Sequence, residues 1–509
     1  MNDEPVATTI DNANQQNQSI EYQQTPLEQP NYQLGEQSAQ EPIPQNSEMA
    51  PETVPENVTP EAINEPPAGN LPPVYEESKS KYVIITAGVI IFFVIFFVII
   101  KVLVGFGSKK AASGKITLKY WGLWEDESAF QPLIADYKRK HPNVTIIYTK
   151  IDPKNYRQKI LARTQSSDDR PDIFRFHNTW LPSLTSVVTS LPATIMSAGE
   201  FEKTFYPIAQ SDLKIGNSYY GIPLEIDGLV LVYNSKLFKA AGIETTPVTW
   251  EDIINDASKL SVKDQSGKIF TSGIALGTAT NVEHFSDILG WMILQNGGDL
   301  KKLSAPEAVG ALQQYRSFAE PPSNLWDASQ SNSISAFIQE QVAMIIVPSW
   351  ELLTIKQANP DLQLKVTSLP VVPGGNQITL ASYWVEGVSK FSKNQIEAWK
   401  FLRFLVEKDN LTKLYAEQAK SRPFGEPYSR VDLAPSLVQN EYIGPVIAQA
   451  KNMKSLPTIS RTYDDGLNDE VIKYLEDAVN STAKGASYQD AFFTADRGIA
   501  QVFTKFGIK

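Results

Sequence analysis

From Tyr82 to Ile100 every residue is apolar or aromatic except Thr86 and Gly88, and no other feature constrains the chain so strongly. As a helix the run spans roughly 28 Å, close to the hydrocarbon thickness of a bilayer at roughly 30 Å. A helix buried in a globular core would carry some polar face. A cleavable signal would be shorter and would not follow a long acidic segment. The run therefore predicts a transmembrane helix over 82–106, with Val102–Phe106 extending it and Lys101 reaching toward the headgroups. The lipid bilayer is its implied partner.

The run separates two unlike regions. Residues 1–78 hold 14 acidic residues and neither Lys nor Arg, and they are rich in Gln, Asn, Pro and Glu. With few apolar residues and no sustained period, such a segment cannot bury enough surface to offset its ordering entropy, so 1–80 reads as a disordered acidic tail. Of the chain's 57 acidic and 46 basic residues, 14 acids lie in that tail and five lysines (Lys79, Lys81, Lys101, Lys109, Lys110) flank or interrupt the run. Residues 115–509 are left with 43 acids and 41 bases. That balance gives no bulk attraction to nucleic acid, so no nucleic-acid partner is expected. Residues 107–114 read as a linker.

The absence of cysteine excludes disulfides, thiolate metal sites and a cysteine nucleophile. The histidines, His141, His177 and His284, are scattered and form no zinc motif, so no metal or cofactor is expected. Nor is there a GxSxG, a phosphate-binding P-loop or a dinucleotide fingerprint.

Residues 115–509 alternate strand and helix patterns. Lys115–Tyr120 and Val144–Thr149 read as strands, and between them Phe130, Leu133, Ile134 and Tyr137 recur at helical spacing. Pro171–Phe174 reads as a third short strand, with Leu229–Tyr233, Ala343–Val347 and Leu364–Leu369 further along. Thr249 with Asp252 forms a capping box before Ile253 and Ala257. Ile396, Trp399, Leu402 and Leu405 mark an amphipathic helix, and Asp469–Phe503 is helical with a break at Gly485. Alternation of this kind implies an α/β fold with parallel, doubly wound sheets.

Several blocks in collinear order then resemble the family 1 extracellular solute-binding proteins, the maltose-binding-protein-like receptors of ABC importers. They are Ile116–Trp124, Tyr137–Val144, Pro171–Ile173, Tyr220–Asp227 with Leu231–Asn234, Thr249–Ile253, Gln295–Asp299, Ala343–Met344 leading to Trp350, and Tyr383–Val385 with Gly387–Ser389 before Trp399–Leu402. The resemblance covers essentially all of 115–509. It implies a two-lobed periplasmic-binding-protein-like (type II) fold with a hinge, closing on a small-molecule solute, with ABC permease subunits as partners. Crossings are expected near Glu225–Asp227, Ser382–Glu386 and Pro423–Pro427. One lobe would combine 115–225 with 387–424, and the other 228–382 with 428–509.

A sugar presents CH faces and a ring of hydroxyls, which flat aromatics and carboxylates or Arg complement. Ligands of open α/β sheets sit at the carboxyl ends of strands. Trp121, Trp124 and Glu125 follow the first strand and are candidates, although one tryptophan of the pair can equally pack the core and Glu125 can be a first-turn helix charge. His177 and Trp180 follow the third strand in the same geometry. Glu225 and Asp227 lie in the first crossing, where they either bind hydroxyls or hold the hinge through backbone hydrogen bonds. Trp350 and Trp384 match positions where the family places aromatics, and Tyr383, Arg422 and Tyr463 complete the candidate set. Trp250, Trp291 and Trp399, at helical spacing, read as core.

The expected function is a non-enzymatic, membrane-anchored receptor that captures a carbohydrate for an importer. A surface adhesin or sensor built on the same fold is the alternative, and a glycoside-processing enzyme a more remote one. Lysine counting around the run places the C-terminal domain inside the cell. The receptor resemblance places it outside with the tail in the cytoplasm, and the latter topology is adopted as the expectation. The helix would stand where many relatives carry a lipidated cysteine.

Overall fold

The computed structural model describes residues 114–166, 169–372, 377–464 and 466–508. The expected disordered tail (1–80), the expected membrane helix (82–106) and all but Gly114 of the expected linker lie outside those residues. The expectation of a single-pass membrane protein is not supported: among the described residues no helix is long and apolar enough to cross a membrane. The longest described helix, Tyr488–Lys505, shows why. Asp490, Asp496, Arg497 and Lys505 interrupt it, and only a stripe including Phe492, Ala495, Ile499 and Val502 is buried. That is the pattern of a helix facing protein on one side and water on the other. Bilayer attachment, and the division of tail and domain between two faces of a membrane, are likewise not supported by the described residues.

Twelve strands carry the architecture. In chain order they are β1 Ile116–Gly122, β2 Val144–Lys150, β3 Ile173–His177, β4 Ile222–Pro223, β5 Leu229–Asn234, β6 Val262–Lys263, β7 Ile269–Ile274, β8 Val342–Pro348, β9 Leu364–Thr367, β10 Thr379–Leu380, β11 Trp384–Val388 and β12 Met453–Lys454. The first sheet has the order β2-β1-β3-β11-β4 and the second β9-β5-β8-β7-β6, while β10 pairs with β12. These two sheets centre the two lobes of the α/β fold.

Neither sheet is purely parallel, which departs from the pattern-based expectation. β1 runs parallel to β2 and β3, but β11 is antiparallel to β3 and to β4. In the second sheet β8 is parallel to β7 and antiparallel to β5. The cause is the path of the chain. It leaves the first sheet after β4, builds the second, and re-enters the first as β11 from the opposite end. An amphipathic pattern records which faces are buried, not the direction of a returning strand.

The helices dock as their patterns require. Helix Glu127–Lys140 lays Phe130, Leu133, Ile134 and Tyr137 on the first sheet, each burial contributing about 1.5–3 kcal/mol. Thr249 and Asp252 complete the reciprocal capping box of helix Trp250–Leu260. Trp291 and Trp399 are fully buried and Trp250 nearly so. The C-terminal region divides into helices Leu467–Ala483 and Tyr488–Lys505 around Gly485, whose φ of 96° suits glycine.

Between the sheets the crossings run side by side. Gly228 bridges Ala381, and Ser382 N donates to the Asp227 carbonyl at 2.9 Å. Glu225 bridges Tyr428, and Ile226 N donates to the Pro427 carbonyl at 3.0 Å. The approach is so close that a Cβ on Gly228 would collide with the Leu380 carbonyl oxygen. Only glycine fits there.

Candidate functional site

The site begins in the register of β3 against β11, which sets Trp384 opposite His177 and Glu386 opposite Arg175. Residues two apart in a strand share a face, so one face of this pair carries an aromatic pairing and, one step along, an ionic one.

The Trp384 ring lies 5.1 Å from His177, 5.4 Å from Trp180 and 5.5 Å from Trp124, each time edge to face. Trp180 is buried beneath it, whereas Trp124 is 37% exposed. Tyr463, 48% exposed, stands 6.2 Å from Trp124. It comes from the segment before helix Leu467–Ala483, whose neighbours include helices Phe285–Gln295 and Pro306–Ser317; Trp291 of the first stacks on Trp250, and the helix Trp250–Leu260 packs on β7 of the second sheet. Rings from both lobes therefore meet. Tyr463 also has a φ of 57°, a backbone state costing a bulky residue about 1–3 kcal/mol. Across the cleft Arg157 Nη1 donates to the Asp464 carbonyl at 2.9 Å.

Under the aromatics lies a charged cluster centred on Arg175, which is almost wholly buried. Its Nε donates to Glu386 Oε1 at 2.7 Å; its Nη1 donates to Glu125 Oε2 at 2.6 Å and Glu426 Oε1 at 3.3 Å. Glu125 and Glu426 thus face the same nitrogen of Arg175. Burial pushes Glu125 up to about 8 against the pull of Arg175. Burial works to raise Glu426 too, but Arg175 and Arg422 overcome it and hold Glu426 low. Burial, then the charge of Glu426, drives Glu225 well above the usual carboxylate range.

The remaining candidates divide by location. Glu225 and Asp227 both turn to backbone N–H groups. Glu225 Oε1 accepts from Trp384 N at 2.9 Å, and Asp227 accepts from Gly228 N at 2.6 Å and Trp350 N at 3.3 Å. Burial raises Asp227 to about 7 despite those donors. Trp350 is 39% exposed and edge-on to His284 at 5.6 Å, apart from the Trp384 group. Trp121 is half-buried in β1. Tyr383 is fully buried, with its hydroxyl donating to Asp212 at 2.9 Å. His177 is buried and neutral, pushed down to about 3 by desolvation. Arg422, half-buried, leaves Nε and Nη2 without a hydrogen-bond partner among the described residues.

Arg175, Glu386, Glu426 and His284 were not singled out from the sequence. A signal existed for the first two: a charge inside the otherwise apolar strands Ile173–His177 and Trp384–Val388. Among the described residues no group of three or more His, Asp or Glu is arranged to hold a metal ion. A surface groove of about 520 Å³ lies elsewhere, between Trp250, Met292, Gln295 and Gln314, and contains none of the candidates.

Residues 121–411 match the family model described as bacterial extracellular solute-binding protein. The chain belongs to that family. This solute-binding protein is 25% identical over 288 residues to a putative binding protein of Brucella abortus, covering 55% of this chain and 69% of that one. It is 22% identical to the multiple sugar-binding protein of Streptococcus mutans, covering 60% of this chain and 75% of the relative. The sugar-binding protein MalE from Xanthomonas citri shares the fold with a TM-score of 0.63 at 18% identity, over 76% of this chain and 98% of the other. Family and fold are those of non-catalytic solute-binding proteins.

Proposed function

We propose that this solute-binding protein captures a carbohydrate between its lobes and delivers it to an ABC-type permease, with lobes bounded at 115–225 plus 387–424 and 228–382 plus 428–509. The observation that carries the reading is the meeting of exposed rings from both sides of the cleft, Trp124 and Tyr463, over Trp384. Flat rings suit the CH faces of a sugar. The neighbouring carboxylates support a neutral solute over a cation, because Glu125, Glu225 and Asp227 are committed to Arg175 or to backbone N–H groups. The sugar ligand in the name of the Streptococcus mutans relative supports the same class.

Titration of the full chain with neutral oligosaccharides, followed by tryptophan fluorescence, tests it. A saturable change without turnover of the sugar is expected. No saturable response across linear and cyclic glucose, mannose, chitin and xylose oligomers would refute the carbohydrate reading. Copurification with a permease tests delivery.

A further inference from the structure

His284 precedes helix Phe285–Gln295 and is almost wholly buried. Its Nε2 lies 3.2 Å from Glu351 Oε2, and its Nδ1 lies 3.1 Å from Ser460 Oγ and 3.7 Å from Asp287 Oδ2. Ser460 Oγ donates to Asp287 Oδ2 at 2.6 Å, and Ser460 N donates to Asp287 Oδ1 at 2.9 Å. A hydroxyl has one proton, and this one is committed to Asp287. Toward His284 the Ser460 oxygen can therefore only accept, so Nδ1 carries hydrogen. On the other side the Glu351 carboxylate also only accepts, so Nε2 carries hydrogen as well. With Asp287 and Glu351 as carboxylates, the hydrogen-bond pattern places hydrogen on both ring nitrogens, an imidazolium. His177 is the internal contrast: Thr179 N donates to its Nδ1, leaving a neutral ring with one hydrogen for Ser382 Oγ. Burial pulls both rings toward neutrality, but at His284 the carboxylates of Asp287 and Glu351 overcome it and raise the ring above its usual value.

The imidazolium joins three chain segments. Glu351 directly follows Trp350, whose ring stands edge-on to His284. Ser460 belongs to the segment that carries Tyr463, and Arg461 in that segment pairs with Glu283, the residue before His284. We propose that His284 is a positioning residue of the solute site, a buried imidazolium that docks the Tyr463 segment onto the Trp350 turn, so that loss of its charge at high pH frees both rings and weakens solute binding. This rests on the carbohydrate-capture reading. The groups facing His284 are Asp287 on its own helix, Glu351 beyond β8 and Ser460, with the Glu283–Arg461 pair alongside. For a ring whose folded-state pKa is raised, the docking is complete below about pH 6.5 and is lost as pH rises through the folded value.

The test uses the full chain labelled with ¹⁵N-histidine, which gives three residues' signals; His284→Gln assigns one of them. Both His284 nitrogens should resonate as imidazolium at pH 7 and remain so beyond the ordinary midpoint near 6.5. In the wild type the best-binding oligosaccharide should lose affinity as pH rises through the His284 transition that the nitrogen signals report. In His284→Gln it should bind about tenfold more weakly at pH 7, with no further fall at pH 9. Ser460→Ala removes the bridging oxygen while keeping the ring, and should weaken binding at pH 7 with the imidazolium signal preserved. A neutral His284 at pH 7 overturns the proposal, as do folded His284→Gln and Ser460→Ala proteins that bind like the wild type. If no oligosaccharide binds the wild type, the capture reading fails separately. The nitrogen spectrum and the acrylamide quenching of tryptophan, greater above the His284 transition than below it if docking is lost, then still decide the docking.

Discussion

Arg175 offers the sharpest test of how the first lobe is held to the hinge. Arg175→Met keeps most of the side-chain volume and removes the one guanidinium that Glu125, Glu386 and Glu426 share. Removing one partner of a buried ion pair costs about 3–5 kcal/mol. The acids here can escape part of a larger penalty by taking protons, so the expected loss at pH 7 stays within that range. For a folded region of about 400 residues this corresponds to a fall in Tm of about 4–6 °C. The pH dependence separates this cause from a simple cavity. In the wild type Glu125, Glu225 and Glu386 have raised folded-state values. The folded state therefore holds extra protons above about pH 4.5, and stability falls as pH rises toward the folded values. Glu426 acts oppositely, contributing stability that is lost only in acid. Without Arg175 it joins the raised group, steepening the fall by up to about 1.4 kcal/mol per pH unit for each added proton. Urea unfolding followed by circular dichroism at pH 5 and pH 8 measures this. A deficit below about 1 kcal/mol, or one equal at the two pH values, would refute the reasoning.

Trp124→Ala should weaken oligosaccharide binding about tenfold by calorimetry, on the scale of a lost aromatic contact, while leaving the urea midpoint nearly unchanged because the ring is exposed. Gly228→Ala should destabilise by about 1–3 kcal/mol through its collision with the Leu380 carbonyl, measured by the same unfolding curves. Asp227→Asn removes a group that burial raises to about 7; its wild-type contribution falls as pH climbs from the ordinary carboxylate value through 7, so the variant's stability profile between pH 5 and pH 8 should be shallower.

The local elements were legible because each is a short-range pattern. The helical spacing of Phe130 to Tyr137, the capping box at Thr249 and the break at Gly485 all depend on neighbours within a few residues. What the sequence hid is what strand register decides. Nothing near Arg175 announces Glu386, 211 residues away, until β11 returns antiparallel. The same applies to burial of the acids. Glu125, Glu225 and Asp227 sit on segments beside exposed aromatics and so resemble hydroxyl ligands in a linear reading. Only the crossing of the chain turns them inward.

That inward turn has a mechanical consequence. Glu225 holds the backbone N–H of Trp384, and Asp227 holds that of Trp350; the two acids are separated only by Ile226, which is itself tied to Pro427 across the hinge. A rotation of the lobes must turn the dihedrals of these crossing residues, because the flanking strands are locked in their sheets. Each tryptophan is therefore fastened to the element that rotates rather than carried loosely on a loop. On the capture reading proposed above, closure would therefore turn the segments that hold both tryptophans, and a solute stacked on Trp384 would act on the hinge through Glu225.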